Sequence, residues 1–297
     1  MFPLAIFIGG PTATQKSKLA FQIQSKIPSF IINSDSMQVY DKLNILTNKP
    51  KSKFIDQYDC KLFNFLSYPE KCNVGLWRRK SIELLKKNQK IPIFVGGTGL
   101  YLDSLINNIS NIPSIPEKTR LKINQILSMK GKSYFYEKLL KIDKSYATKI
   151  SRNDTQRILR AIEVKIATGK NFSYWHKHKK ENIFEKVVYV VINLERDDLY
   201  KNINERCKEM LSEGVVDEVK KFLKNKISTD HPLHKAIGLE ILSNYSQGEI
   251  KTEEALSLFS RDTRRYAKRQ LTWFKNRAIS AKHLSFNDAK SYILNNV

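Results

Sequence analysis

Cysteine is scarce in this sequence: three residues in 297, at Cys60, Cys72 and Cys207. The count is odd, no CxxC spacing occurs and no His pair stands nearby. That pattern argues against a disulfide framework and a zinc site, and reads as three reduced thiols. Long hydrophobic runs are also missing. No stretch approaches the roughly 18 consecutive apolar residues that a membrane span requires. The apolar start, residues 2–8, has no basic leader or cleavage site and passes straight into glycines. It is expected to be a first strand rather than a signal peptide, in a cytoplasmic protein. Acidic residues are outnumbered, 29 Asp and Glu against 52 Lys and Arg, for a formal net charge of +23. Such an excess favours polyanionic partners through phosphate neutralisation and counterion release, although a lysine run such as residues 177–180 also reads as plain solvated surface. His231, His234 and His283 have no carboxylate partner at metal-ligand spacing, and no metal role is assigned to them.

What is present alternates. Apolar residues make up 41% of the chain, enough for a core, and the length suggests about two domains or one domain with a large insertion. Residues 4–10, LAIFIGG, read as a buried strand ending in glycine. Residues 16–27 follow with Leu19, Ala20, Ile23 and Ile27 on one helical face. FIIN at 30–33 is a second short strand, ending at Ser34-Asp35-Ser36. Residues 78–88 read as a basic helix, and IPIFV at 91–95 as a third buried strand running into Gly96-Gly97-Thr98-Gly99. Strand, glycine turn and helix in alternation predict an α/β fold with a parallel sheet and a nucleotide-type binding edge. Residues 107–116 are polar with two prolines and read as a linker. Residues 117–170 read as consecutive helices, residues 187–194 return to a buried strand, and the pattern is helical from Asp197 onward. The expected organisation is a P-loop-like core over 1–110 and 183–297 with a helical insertion at 111–182.

Gly10-Pro11-Thr12-Ala13-Thr14-Gln15-Lys16-Ser17 follows a strand and opens a helix. The spacing approaches G-x-x-x-x-G-K-[ST], in which backbone N–H groups and a helix N-terminus cradle phosphate, the lysine adds charge and the hydroxyl ligates Mg²⁺. Gln15 stands where the strict pattern has its second glycine. Phosphoryl transfer would need an acidic residue on a neighbouring strand to organise Mg²⁺, yet IPIFV ends in Gly-Gly. Asp35 ends the second strand instead, and a carboxylate there suits taking a proton from an acceptor. Group transfer to an acceptor beside a bound phosphate and a small-molecule kinase both remain open on these residues. An RNA-binding module with a degenerate loop is a third reading, for which Gln15 speaks and Lys16, Ser17 and Asp35 speak against.

Six motifs in order narrow the choice. GPTATQKS is followed by DSMQVY at 35–40 and VGGTGLY at 95–101. Then come NDTQRILRAIEV at 153–164 with Thr168-Gly169-Lys170, Ala236-Ile237-Gly238, and TRRYAKRQLTWF at 263–274. Together they resemble the tRNA dimethylallyltransferase (tRNA isopentenyltransferase) family, whose pattern is G-P-T-A-[ST]-G-K-[ST], D-S-[RM]-Q-V-Y and V-G-G-T-G-L-Y. The resemblance runs from Gly9 to about Arg277. This chain departs from it at Gln15 and near Lys61, where the family carries a histidine; no role is assigned to residues 56–66.

The resemblance implies transfer of dimethylallyl from dimethylallyl diphosphate to N6 of adenosine 37 in tRNA, with release of diphosphate. It implies that Gly10, Pro11, Thr12, Ala13, Thr14, Gln15, Lys16 and Ser17, with Arg206, bind the donor diphosphate. Ser17 would hold Mg²⁺, Thr12 would bond the leaving oxygen, and Asp35 would be the general base. Asp35, Ser36, Met37, Gln38, Thr98, Arg120, Gln156, Arg157, Ile158, Leu159 and Arg160 would contact the tRNA. The implied partners are the anticodon stem-loop and dimethylallyl diphosphate, with no membrane, and a monomer is expected. Arg264, Arg265, Lys268 and Arg269 form a basic helix face for RNA phosphates, seated by Tyr266, Leu271 and Phe274. Tyr174, Trp175, His176 and His178 are read as a basic aromatic loop.

Overall fold

A strand followed by a crossover helix and a second parallel strand returns the chain to the same sheet edge each time. The structure, a computed structural model, describes residues 1–107, 112–113, 115–177 and 182–297. Six strands form one sheet: β1 (Phe2–Gly9), β2 (Ser29–Asn33), β3 (Cys60–Lys61), β4 (Ile91–Val95), β5 (Phe184–Ile192) and β6 (Lys282–Leu284), in the order β3-β2-β4-β1-β5-β6. Every pairing is parallel; Ile6 of β1 stands opposite both Ile93 of β4 and Val188 of β5. The architecture is a P-loop-type α/β core.

Helices cover both faces, which is why the central strands are apolar without interruption. The core helices are α1 (Lys16–Gln24), α2 (Ser52–Gln57), α3 (Val74–Lys87) and α4 (Gly99–Ile106). Side chains alternate along each strand. Ile6, Ile8, Ile31, Ile93, Val188 and Val190 point to the face covered by Leu19, Ala20 and Ile23 of α1. Phe7, Phe30, Phe94 and Tyr189 point to the other, where Trp77 of α3 and Tyr101 of α4 stack at 4.7 Å.

The contacts divide the chain into two units, Met1–Ile106 with Ile183–Val297, and Asn107–Asn182. The second holds α5 (Glu117–Ile142), α6 (Lys144–Ala147), α7 (Thr155–Thr168) and α8 (Phe172–Lys177). It has its own core of Ile123, Phe135, Leu139, Ala147, Ile158, Ala161 and Ile162. Gly131, at φ 72° and ψ 173°, kinks α5. The first unit resumes with α9 (Arg196–Ser212), α10 (Val215–Lys224), α11 (Leu239–Ser246), α12 (Thr252–Arg277) and α13 (Phe286–Leu294). No helix among the described residues is long and apolar enough to cross a membrane.

Two expectations are corrected. The region after Asp197 is not wholly helical, because β6 adds a strand at the sheet edge, and β3 adds another at the opposite edge. At three and two residues these strands are too short to display a period. Tyr174, Trp175 and His176 lie on the helix α8, not on a loop; His178 and residues 179–180 lie outside the described residues. Trp77 is fully buried and its indole N–H donates to the Asn33 carbonyl at 2.8 Å. Trp77→Phe is expected to lower the unfolding free energy by about 1–3 kcal/mol through the lost bond, and Trp77→Ala by about 3–5 kcal/mol through the cavity, measured by urea denaturation.

Candidate active site

Because the strands are parallel, the loops after β1, β2 and β4 meet at one sheet edge, the position where open α/β sheets bind ligands. The first is the phosphate loop. Gly10 has φ +142°, and a side chain there would press on the Ile192 backbone at the end of β5. Ala13 and Gln15 take left-handed conformations, at φ 66° and 59°. Gln15 thus adopts the backbone that a glycine would supply, at a cost of about 1–2 kcal/mol, and the turn closes without it. Thr14 Oγ1 donates to the Pro11 carbonyl at 2.9 Å, and Lys16 Nζ donates to the same carbonyl. Arg206 of α9 donates from Nη1 to Thr12 Oγ1 at 2.9 Å, and Asn202 donates to the Ala13 carbonyl at 3.3 Å.

Two cations therefore converge on one loop. Among the described residues neither Lys16 nor Arg206 has a carboxylate within ion-pair distance. Burial, and after it the neighbouring Arg206 charge, lower the Lys16 amine to about 7 against the opposing charge of Asp35. A desolvated cation pair on a turn of backbone amides is built for an anion.

The second loop carries Asp35. Asn33, buried at the end of β2, braces it on both sides: its Oδ1 accepts from the Asp35 N–H at 2.9 Å, and its Nδ2 donates to the Asp35 carbonyl at 3.2 Å. The same Nδ2 donates to the Leu62 carbonyl at 3.0 Å. The Met37 N–H donates to Asp35 Oδ1 at 2.8 Å. Burial raises the Asp35 carboxyl above the ordinary range, against the lowering by the Met37 N–H and Lys16. Ser36 N–H donates to Thr98 Oγ1 at 3.0 Å, and Gln38 Nε2 donates to the Thr47 carbonyl at 2.9 Å. Ser36, Thr98 and Gln38 thus tie the loops around Asp35 together, and Ser36, Met37 and Gln38 also line its cavity. Lys49, likewise buried, donates to the Tyr40 carbonyl at 2.5 Å, to Asn44 Oδ1 at 2.7 Å and to Asn64.

The third loop, Gly96 to Gly99, lies against α12. The Gln270 carboxamide accepts from the Thr12 N–H at 2.8 Å and donates to the Gly97 carbonyl at 3.0 Å. A Cβ on Gly97 would overlap that carboxamide. Gln270 thus holds the phosphate loop and the glycine loop at a set separation. One cavity of about 510 Å³ is lined by Thr12, Lys16, Ser17, Asp35, Arg206 and Gln270 among others. Tyr266 also lines it, and its phenol is raised by burial and by the Asp35 charge.

Several residues expected at the site lie in other surroundings. Ile158 is fully buried in the core of the second unit, so its side chain is closed to an RNA partner. Leu159 packs partly against the same core. The helical period brings this about, since Ile158 and Ile162 share the inward face. Gln156 and Arg157 are exposed, with Arg157 Nε 3.3 Å from Asp154. Arg120 and Arg160 flank Glu163 at 3.8 and 3.5 Å. On α12, Tyr266 is a cavity wall and not a seat for the helix. Phe274 is the buried seat, and Arg264 turns to Asn204 at 2.6 Å. Lys61 pairs with Asp59 at 2.6 Å, and residues 56–66, left without a role, supply Leu62 and Asn64 to the bracing of Asn33 and Lys49. Gln270, Asn33 and Lys49 were not singled out from sequence. Gln270 had one visible signal, an uncharged polar residue inside the otherwise basic run AKRQ.

The sequence model of the IPP transferase family matches residues 38–277. The chain is 44% identical over 279 residues to the tRNA dimethylallyltransferase of Pelagibacter ubique, covering 93% of this chain and 89% of that protein. It is 40% identical over 272 residues to that of Bartonella tribocorum, covering 91% and 94%. Among solved structures it is similar to a full-length tRNA isopentenylpyrophosphate transferase from Bacillus halodurans, with a TM-score of 0.71 and 30% identity over 100% of this chain and 95% of that one. It is also similar to a eukaryotic dimethylallyltransferase acting on tRNA, with a TM-score of 0.78 and 29% identity over 92% and 70%.

The geometry sets a pH dependence for anion binding. An amine held at about 7 is charged below that pH and neutral above it, and an anion selects the charged form. Affinity for inorganic pyrophosphate, measured by calorimetry, is expected to fall about tenfold between pH 7 and pH 8.5. In Lys16→Arg, whose guanidinium stays charged, that fall is expected to disappear.

Proposed function

The chain belongs to the IPP transferase family of tRNA dimethylallyltransferases, and on that premise we propose that it moves the dimethylallyl group of dimethylallyl diphosphate onto N6 of adenosine 37 in tRNA. One observation carries the assignment of roles: the cation pair on the phosphate loop and the Asp35 carboxylate line the same cavity. In this reading Lys16, Arg206 and the loop amides bind the donor diphosphate, and Thr12, already bonded to Arg206, meets the oxygen that leaves. The adenine amine enters from the Asp35 side.

The step balances simply. The N6–C1 bond forms as the C1–O bond breaks, the N6 proton passes to Asp35, and diphosphate departs. Negative charge grows on the diphosphate, where Lys16 and Arg206 oppose it. An exocyclic amine is a weak nucleophile, so positioning and a base matter. Asp35, its affinity for a proton raised by burial, is a stronger base than a solvated carboxylate. Mg²⁺ suits the site as an ion carried by the diphosphate. No group of three or more His, Cys, Asp or Glu side chains that could hold a metal gathers among the described residues, and Mg²⁺ on phosphates needs only one or two protein oxygens. Ser17, on the first turn of α1, would be the protein ligand, and the ion would supply charge neutralisation at the leaving group.

The target base must leave its stack to reach Asp35. Ser36, Met37 and Gln38, which line the cavity, and Thr98, bonded to Ser36, are assigned to its edges. Lys268 and Arg269 of α12, and Arg120, Gln156, Arg157 and Arg160 of the second unit, are assigned to the RNA backbone. The excess of positive charge supports that assignment.

The experiment is incubation of the pure protein with labelled dimethylallyl diphosphate, Mg²⁺ and unmodified tRNA. Label is expected in an anticodon-loop adenosine, with no dependence on ATP. Asp35→Asn is expected to lower kcat about 10²–10⁴-fold with little change in donor KM. Consumption of ATP with no label in RNA would overturn the reading.

A further inference from the structure

The cavity is polar at one end and apolar at the other. Helices α9 and α12 run past it in opposite directions, joined where Arg264 bonds Asn204 and where the Cys207 thiol lies 3.9 Å from Thr263 Oγ1. Along α12 the stripe Gln270, Tyr266, Thr263 and Phe259 lines the cavity, with Arg269 beside it at the Gln270 end. Gln270 touches the phosphate loop, and Phe259 lies eleven residues earlier, roughly 16 Å along the helix axis. Along α9 the order is the same. Arg206 bonds Thr12, and Met210 lies one turn further on, roughly 6 Å away. Leu46 and Ala236 complete the apolar end.

This end is walled by side chains with little room to yield. Phe259 is 2% exposed, Met210 5% and Leu46 6%. Gly238, at φ +87°, lies against the Phe259 ring so closely that a Cβ there would overlap it; the ring cannot swing that way. Leu46 sits on a loop whose Ile45 and Leu46 N–H groups both donate to Glu218, at 3.0 and 2.9 Å. Thr263 Oγ1 donates to the Phe259 carbonyl at 2.9 Å. A densely packed wall of this kind excludes added methylenes by overlap.

For the transfer proposed above, the reacting axis runs from the diphosphate oxygen through C1 to the amine beside Asp35. The hydrocarbon tail must leave that axis sideways, into the apolar end. We propose that Phe259, backed by Gly238 and flanked by Met210, is a specificity-determining stop that limits the donor to one five-carbon isoprenoid unit. The distance of one helical turn between Arg206 and Met210 matches the reach of a single unit. A second unit would have to occupy the volume of the Phe259 ring.

The inference rests on the prenyl-transfer reading, and the test separates the two. Full-length wild type, Phe259→Leu, Phe259→Ala and Met210→Ala are assayed with unmodified tRNA and either dimethylallyl or geranyl diphosphate, and the modified nucleoside is identified by mass. Wild type is expected to use the ten-carbon donor at least 100-fold less efficiently in kcat/KM. Each variant that folds is expected to raise the ratio of ten- to five-carbon transfer at least tenfold. Ala236→Val, which narrows the same end, is expected to raise the KM for the five-carbon donor and leave the ratio low. Wild type using both donors within tenfold overturns the stop, as do folded variants that transfer five carbons with an unchanged ratio. If both Phe259 variants fail to fold, the ratio in Met210→Ala decides by the same criterion. Wild type that transfers neither group to tRNA would sink the prenyl-transfer reading itself.

Discussion

Keeping a pair of cations and a carboxylate in one buried cavity, without letting them neutralise each other, is the constraint around which the core is arranged. Left to themselves, Lys16 and Asp35 would collapse into an ion pair, since a desolvated charge gains most from a partner. The structure prevents this by giving each charge an uncharged partner of its own. Lys16 is drawn to the Pro11 carbonyl, Arg206 to Thr12, and Asp35 to the Met37 N–H. Burial then pushes the amine down and the carboxyl up. Burial thus disfavours both charges, and each group gains from what enters the cavity: an anion restores the charged amine, and the carboxylate takes up a proton more readily than a solvated one.

That separation needs rigid supports, and two carboxamides provide them. Asn33 holds the Asp35 backbone by its N–H and its carbonyl and is itself held by the Trp77 indole. Gln270 spans from the phosphate loop to the glycine loop. An amide side chain is suited to such work because it offers a donor and an acceptor side by side without adding charge to an already charged cavity. Helix α12 is therefore more than a basic surface. One of its faces sets the separation of the loops and walls the apolar end, while Lys268 and Arg269 remain exposed. The second unit shows the same economy on a smaller scale: Ile158 and Ile162 build its core, and Arg157 and Arg160 of the same helix face outward or pair with Glu163.

Much of this was legible in the order of residues. The strands at the sheet centre, the phosphate loop, Asp35 at the tip of β2 and the family itself all rest on local signals, either periodicity or a contiguous motif. Such signals survive because a backbone turn, a helix face or a strand alternation is specified within a few neighbouring positions. Gln15 shows the limit of motif matching. The residue departs from the pattern, yet its backbone takes the left-handed conformation that the pattern exists to secure.

The rest was decided by the fold. Gln270 acts on Thr12 across 258 positions of chain, and nothing in AKRQ says which partner it will find. β3 and β6 exist only because a sheet edge is present to pair with. The apolar end of the cavity is assembled from Leu46, Met210, Ala236 and Phe259, each of which reads from sequence as an ordinary core residue. The sequence alone determined which local chemistry was available, because hydrogen-bonding pattern and helical or strand period are properties of neighbours. Only the tertiary structure decided how far apart the charges stand and where the cavity ends, because those are distances between segments that meet only after folding.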